Sequence, residues 1–189
     1  QELFTGKNGS RRKEWLNMID QKAEDGSYAI IVHRGEKARR LRRKYKHRIV
    51  PTRFLDKWKD MGDDYLSPLS KAEQAELGIS PHEGPKSRWI IQGFHDPDIA
   101  LLVRSVPTPE TADVPLALQM LASINEEAWC ADVKGAFSQG LRGLRPEPLF
   151  ASAPPGGTPG EDDDILIELR AEIYGLVSGP PAWRQSLFS

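Results

Sequence analysis

The sequence has little cysteine, little apolar character and no long hydrophobic run. Its single cysteine excludes an internal disulfide, and with only four histidines beside it a structural zinc site is not expected. No apolar stretch reaches the roughly 18 residues that span a bilayer, and no signal peptide is visible. Five tryptophans in 189 residues, with a hydrophobic fraction of 39%, instead indicate a chain that packs a core.

Charge is distributed unevenly, although the formal net charge is only −1. Twelve of the 26 lysines and arginines lie between Arg34 and Lys59, together with two acidic residues, so this segment carries a formal charge of +10. Such a block can neutralise phosphates and release counterions, which is the sequence-independent part of nucleic-acid binding. A solvated basic helix or a localisation signal would explain the same composition.

The order of sequence patterns favours an α+β fold. Apolar periodicity predicts helices at 10–25 and 108–125 and short strands at 128–133 and 165–169, and a basic segment that can be helical covers 37–48. Two longer strands are predicted at 48–58 and 87–94, joined by a Gly- and Pro-rich connection. Because strands and helices intermingle without a regular βαβ repeat, a doubly wound sheet is not expected.

Residues 129–137, Trp-Cys-Ala-Asp-Val-Lys-Gly-Ala-Phe, carry the most informative pattern. A short apolar strand would deliver the Asp132 carboxylate to its end, where it is well placed to hold a divalent metal. The amides of Gly135 and Ala136 would form an anion site if they open a helix, with Phe137 as an apolar wall. The alternative is that Asp132 caps the following helix and Phe137 is a core residue.

This stretch resembles the Asp-Val-Lys-x-Ala-Phe motif of reverse transcriptases from copia-type retrotransposons. Three further segments resemble motifs of the same family in the same order. They are Lys86-Ser87-Arg88-Trp89-Ile90-Ile91-Gln92-Gly93-Phe94, Pro154-Pro155-Gly156, and Tyr174-Gly175-Leu176 continuing to Trp183. Each segment alone is weak evidence, whereas four in order indicate the family.

The resemblance implies a fold and a domain organisation. It implies a disordered start at 1–10 and a partial reverse transcriptase domain at 11–189, with right-hand polymerase fingers at about 11–107 and a partial palm at about 108–189. The sheet would be antiparallel and incomplete, with packed helices. The Tyr-x-Asp-Asp hairpin of the family would lie beyond residue 189, so this chain alone is predicted to lack polymerase activity.

The resemblance also implies site residues. Asp132 would be the first catalytic carboxylate and would hold Mg²⁺ with the carbonyl of Val133, in the two-metal nucleotidyl transfer of the intact family. A lone Asp132 cannot hold two Mg²⁺ ions. The residues expected to contact the nucleotide are Arg88, Lys57, Lys59, Gly135, Ala136, Phe137, Tyr174 and Gly175.

The implied function is that of a fragment of an RNA-directed DNA polymerase. Its expected partners are an RNA or DNA template-primer, a deoxynucleoside triphosphate and other parts of a transposon polyprotein, without a membrane, and its expected location is intracellular, in the cytoplasm or nucleus. The alternative is a non-catalytic nucleic-acid-binding remnant that uses the basic segment 34–59.

Overall fold

Helices and strands alternate irregularly in the computed structural model, which describes residues 2–22, 26–103, 106, 109–129, 131–133, 135–139, 145–162 and 164–188. The helices are α1 (Glu2–Thr5), α2 (Ser10–Asp20), α3 (Gly35–Lys44), α4 (Lys71–Leu77), α5 (Asp113–Ser123), α6 (Ala136–Gln139) and α7 (Gly179–Leu187). The strands are β1 (Ile30–Arg34), β2 (Ile49–Val50), β3 (Thr52–Asp60), β4 (Glu83–Ile91), β5 (Leu149–Ser152) and β6 (Ile165–Leu169).

The strands form two small sheets in the described part of the chain. A four-stranded sheet has the order β1-β6-β5-β2, and β3 and β4 form a separate antiparallel ribbon. The four-stranded sheet is antiparallel at its β1–β6 and β6–β5 junctions but parallel between β5 and β2, which the expected antiparallel sheet did not include. The mixed α and β composition agrees with the pattern in the sequence.

Helices cover both faces of the four-stranded sheet. Ile165 and Ile167 of β6 belong to the main core, where Trp15 of α2 packs edge-on against Trp89 of the ribbon, with ring centroids 5.6 Å apart. Leu166, between these two isoleucines, joins a second cluster. Because successive strand residues point to opposite faces, α2 and the ribbon lie on one side of the sheet.

The second cluster belongs to α3. Ala38 of this helix is fully buried with Phe150 of β5 and Leu166 of β6, and the ring of Tyr45 lies 5.0 Å from that of Phe150. The basic helix therefore packs on the side of the sheet that faces away from α2.

One expectation about a strand was wrong. The predicted strand at 128–133 is absent, since its described residues 128–129 and 131–133 lie outside helices and strands, and Trp129 is 90% exposed. Strand propensity is realised only where a neighbouring strand and a core are available, and no described strand pairs with this segment. Strand β5 forms although only five residues separate Pro148 from Pro154, because β6 and β2 pair with it on its two sides.

The start of the chain also differs from expectation. Residues 2–5 form α1 instead of a disordered segment, and Phe4 packs edge-on against Trp58 of the ribbon with ring centroids 5.2 Å apart. This contact gives an otherwise short helix a tertiary partner, which an isolated helix of this length needs.

The connection between β3 and β4 contains a short helix. Ser70 begins α4 through a capping box with Glu73, and Gly78 ends it in a left-handed conformation with φ of 66°. No helix in the described part of the chain has both the length and the apolar character that crossing a bilayer requires.

Candidate functional site

One face of the β3–β4 ribbon is basic. Lys57 pairs with Lys86 across the strands, and Leu55 pairs with Arg88. Cross-strand partners share a face, so the same face also carries Arg53 and Lys59, and all five cations are exposed. The opposite face is buried against α2, where the Ser10 and Ser87 hydroxyls lie 2.6 Å apart and Arg11 pairs with Asp56 at 2.8 Å.

A cleft of about 380 Å³ lies beside β4, between its basic side chains and residues of α2. Lys86 and Arg88 line it from β4, Glu14 and Gln21 are among the α2-side residues, and Gly135 and Tyr174 complete it from later in the chain. Arg88 and Tyr174, from two of the segments that carry the resemblance, thus meet Gly135 of a third segment at one cleft.

Tyr174 lines the cleft, whereas the expected Phe137 is not among the lining residues and packs against Tyr174 instead. The guanidinium carbon of Arg88 lies 5.2 Å from the ring centroid of Tyr174. The ring of Phe137 meets that of Tyr174 edge-on, also with 5.2 Å between centroids. A cation above an aromatic face is favourable, so Tyr174 holds the Arg88 guanidinium beside the cleft while Phe137 fixes the orientation of Tyr174.

Two glycines explain how Tyr174 reaches β4. The Ile91 amide donates to the Tyr174 carbonyl at 2.8 Å. Gly175 has φ of 98°, and a Cβ there would collide with the Ile91 carbonyl, while a Cβ on Gly93 would collide with the Gly175 carbonyl. Only glycine permits backbones to cross this closely. The same crossing therefore explains why both the Gln-Gly-Phe and the Tyr-Gly-Leu motif contain a glycine.

Gly135 turns the chain at the bottom of the cleft. Its φ is 67°, and the Gln21 side-chain amide lies within 3.5 Å of its carbonyl, which also accepts a 2.6 Å hydrogen bond from the Ser138 hydroxyl. Helix α6, which begins at Ala136, has only four residues. A single turn carries little macrodipole, so the anion site expected at Gly135 and Ala136 draws little support from this helix.

Asp132 lies in irregular chain and is exposed. The strand expected to end at Asp132 is therefore not present among the described residues. Val133 is exposed as well. Among the described residues, no group of three or more His, Cys, Asp or Glu side chains could hold a metal ion.

The two expected lysines occupy the ribbon but do not line the cleft. Lys57 and Lys59 are exposed on β3, and the lysine that lines the cleft is Lys86. The sequence contained the signal for Lys86, because a residue two positions before Arg88 on a strand shares its face. Glu14 and Gln21 had no such signal, because only tertiary packing brings α2 to this edge of β4.

Glu14 adds a titratable group to the cleft. Burial raises the pKa of its carboxyl, while a hydrogen bond from the Trp89 amide and the nearby charges of Lys86 and Arg88 act in the opposite direction. The hydrogen bond is long, at 3.4 Å. An anionic ligand near Arg88 would therefore meet less repulsion from Glu14 when this carboxyl is protonated.

A buried ionic network joins the segments that carry the cleft. Arg48 makes a bidentate pair with Asp98 at 2.6 and 2.7 Å. Arg145 contacts Asp96 at 2.7 Å and donates to the Ser178 hydroxyl at 2.9 Å, and that hydroxyl donates to Glu172 at 2.5 Å. The network links the turn after β4, the chain before β5 and the Glu172–Ser178 turn that contains Tyr174.

Two carboxyls of the network have pKa values shifted in opposite directions. A hydrogen bond from Arg48 lowers the pKa of Asp98. Burial raises the pKa of Glu172, against hydrogen bonding from Ser178 and the charge of Arg145. Asp96, Asp98 and Glu172 therefore share two arginines. Of Asp98 and Glu172, it is Glu172 that more readily takes a proton.

Comparisons with known proteins leave the family open. No protein-family model, no curated protein and no solved structure matches this chain significantly.

Proposed function

We propose that the chain is the fingers and partial palm portion of a copia-type RNA-directed DNA polymerase, and that its described cleft binds the triphosphate of an incoming nucleotide. The observation that carries this proposal is the convergence of Arg88, Gly135 and Tyr174 on one cleft. These residues are separated by 39 to 86 positions in the chain and come from three of the four motif segments.

The basic and aromatic residues of the cleft suit a polyphosphate attached to a planar base. The Arg88 guanidinium can make paired hydrogen bonds to phosphate oxygens, and Lys86 adds a second positive charge two residues away on the same strand face. Tyr174 offers an aromatic ring beside these charges, and Phe137 packs edge-on against that ring. A nucleotide presents the same combination of anion and flat apolar surface.

The glycine crossing also supports the proposal. The motifs at 86–94 and 174–183 are distant in sequence, yet their glycines are needed at one crossing of the backbone. If the two motifs form one site, their backbones must come close together, and the two glycines make this close approach sterically possible. The buried network around Arg145 then holds this crossing in position.

Magnesium chemistry belongs, in this proposal, to the intact family. Asp132 is proposed as one Mg²⁺ ligand on the basis of the resemblance. Because a two-metal centre needs further carboxylates, no catalytic step is assigned to this chain. The expected activity of the chain alone is nucleotide binding without template-directed extension.

Nucleotide binding with an Arg88 variant tests the proposal. A fluorescent deoxynucleoside triphosphate is titrated into the protein and into Arg88→Gln. A hydrogen bond to a charged group contributes about 1.5–3 kcal/mol, so we expect the affinity to fall roughly 10- to 100-fold. Arg53→Gln is the matched control, because Arg53 lies exposed on the same ribbon face but does not line the cleft.

Two results would count against the proposal. Equal affinities of the wild-type protein and Arg88→Gln would remove the cleft as the triphosphate site. Template-dependent products from this chain with Mg²⁺ in a primer-extension assay would contradict the expected lack of polymerase activity.

The second candidate is a nucleic-acid-binding module without catalysis that uses the basic segment 34–59. The observation that favours it is that eight of the twelve cations in this segment form no ion pair within the described part of the chain. They are Lys37, Arg40, Arg43, Lys44, Lys46, Arg53, Lys57 and Lys59.

A further inference from the structure

The basic segment 34–59 does not form a single surface. Its first half is α3, which packs on the Leu166 face of the four-stranded sheet. Its second half is β3, which belongs to the ribbon on the Ile165 and Ile167 side, where the cleft also lies. One ligand bound in the cleft therefore cannot account for the charges on α3.

Two carboxylates pair with arginines on one flank of α3 and with the arginine that directly precedes the helix. Arg34 makes a bidentate pair with Glu161, with both hydrogen bonds 2.7 Å long. Asp164 accepts from Arg39 at 2.6 Å and from Arg42 at 2.8 Å. Both arginines hold the pKa of Asp164 below its ordinary range.

The remaining cations of α3 form a stripe away from that flank. Lys37, Arg40 and Lys44 follow each other at helical spacings of three and four, and Arg43 lies beside them. All four side chains are exposed, and none forms an ion pair within the described residues. Glu36 is the one acidic residue of the helix. This α3 stripe thus presents four positive charges to solvent.

We propose that the α3 stripe is a second polyanion-binding surface that holds the phosphate backbone of a nucleic acid, on the opposite side of the sheet from the cleft. Glu161 and Asp164 limit the extent of this surface, because their ion pairs with three further arginines neutralise those charges. The inference deepens the nucleic-acid-binding candidate and rests on it, and it is independent of the polymerase proposal.

The apolar residues of α3 favour nucleic acid over an anionic membrane. A helix that lies in a membrane interface places large apolar side chains next to its cations. Here Leu41 and the adjacent Tyr45 pack against the Phe150 cluster, so they are directed into the protein. Binding to the phosphates of a nucleic acid requires exposed cations but no apolar side chains beside them.

The test compares two charge-matched variants. Binding of a fluorescein-labelled DNA duplex of mixed sequence is measured over a range of salt concentrations for the wild-type chain and for Lys37→Gln/Arg40→Gln/Arg43→Gln/Lys44→Gln. The control removes the same charge elsewhere, from four exposed lysines. They are Lys7, Lys13, Lys22 and Lys71, each changed to Gln. Glutamine is a good helix former, and circular dichroism verifies that α3 is retained.

We expect the α3 variant to lose at least about tenfold in affinity at low salt and to show a flatter salt dependence. Each phosphate contact contributes about −0.9 to the slope of log affinity against log salt, so four contacts account for roughly a hundredfold change between 50 and 200 mM. The control variant should keep the wild-type slope. Glu161→Gln/Asp164→Asn should bind more tightly and with a steeper slope, because it releases three arginines.

Each other outcome overturns a defined part of the inference. If the α3 variant binds like the wild type, the α3 stripe is not the binding surface, although the protein binds nucleic acid through another surface. If the wild type does not bind at low salt, the candidate function fails as well. Stronger stripe-dependent binding to phosphatidylserine vesicles than to the duplex would exclude nucleic acid as the occupant. No gain in Glu161→Gln/Asp164→Asn would exclude the limiting role of these carboxylates.

Discussion

Two regions of the molecule use their apolar residues in opposite ways. The described residues of 2–98 and 145–188 supply the buried apolar side chains of the core, and Ile165, Leu166 and Ile167 are completely buried. The described residues of 99–133 supply no buried side chain. The difference shows that apolar sequence alone does not produce burial, because a second apolar surface must be within reach.

Helix α5 makes this contrast sharpest. Val114, Leu116, Leu118 and Met120 are each more than half exposed, and they are distributed around the helix instead of forming one stripe. A helix that is apolar on all sides is ordinarily found inside a structure. Its exposure here means that α5 contributes little to the stability of the described fold.

The largest effect is expected in the buried network of the packed region. Arg145→Met removes the partner of Asp96 and leaves buried carboxylates uncompensated, which is expected to lower the free energy of unfolding by about 3–5 kcal/mol. Arg40→Met, which removes an exposed arginine from α3, should change it by less than about 0.5 kcal/mol. Urea denaturation measures both, and similar losses would show that the network is not the stronger constraint.

The same leucine-to-alanine change should separate the two regions next most clearly. Leu149 is 1% exposed in β5 and Leu116 is 57% exposed in α5. Leu149→Ala is expected to cost about 2–5 kcal/mol through lost burial and a cavity, whereas Leu116→Ala should stay within about 0.5 kcal/mol. A loss above 2 kcal/mol for Leu116→Ala would mean that α5 is buried in the protein in solution, and would break the comparison.

Acid should affect the packed region through Asp98, with a smaller effect. Because Arg48 lowers the pKa of Asp98 in the folded protein, this carboxylate stabilises the fold above its unfolded pKa of about 4. That stabilisation is lost as pH falls from there through the lowered folded value. Asp98→Asn should therefore be less stable at neutral pH and lose less stability on acidification.

Asp113→Asn is the control for this pH series, because Asp113 lies at the start of the exposed α5. Urea denaturation at several pH values should give this variant the wild-type acid dependence. An unchanged acid dependence in Asp98→Asn would assign the effect to other carboxyls.

The sequence predicted best the elements whose partners are close in sequence or strongly apolar. Strand β6 occupies the predicted 165–169, and the ribbon follows the two predicted strands on either side of their connection. Both have clear apolar patterns with turn residues at their ends. The strand at 128–133 has a similar pattern, but nothing in the described structure pairs with it.

Contacts between distant segments could not be read from local patterns. The Arg39–Asp164 pair joins residues 125 positions apart, and the sequence showed each only as part of a charged run. For the site, the motifs identified Arg88, Gly135 and Tyr174, which the structure brings to one cleft. They did not identify Glu14, since its place depends on how α2 packs against β4.

Backbone amide chemical shifts during a titration with a deoxynucleoside triphosphate test the nucleotide cleft most directly. The account predicts that saturable shift changes centre on the amides around Arg88, Gly135 and Tyr174, with those of α3 and α5 unaffected. Changes confined to α3, or no saturable change at these three positions, would contradict it.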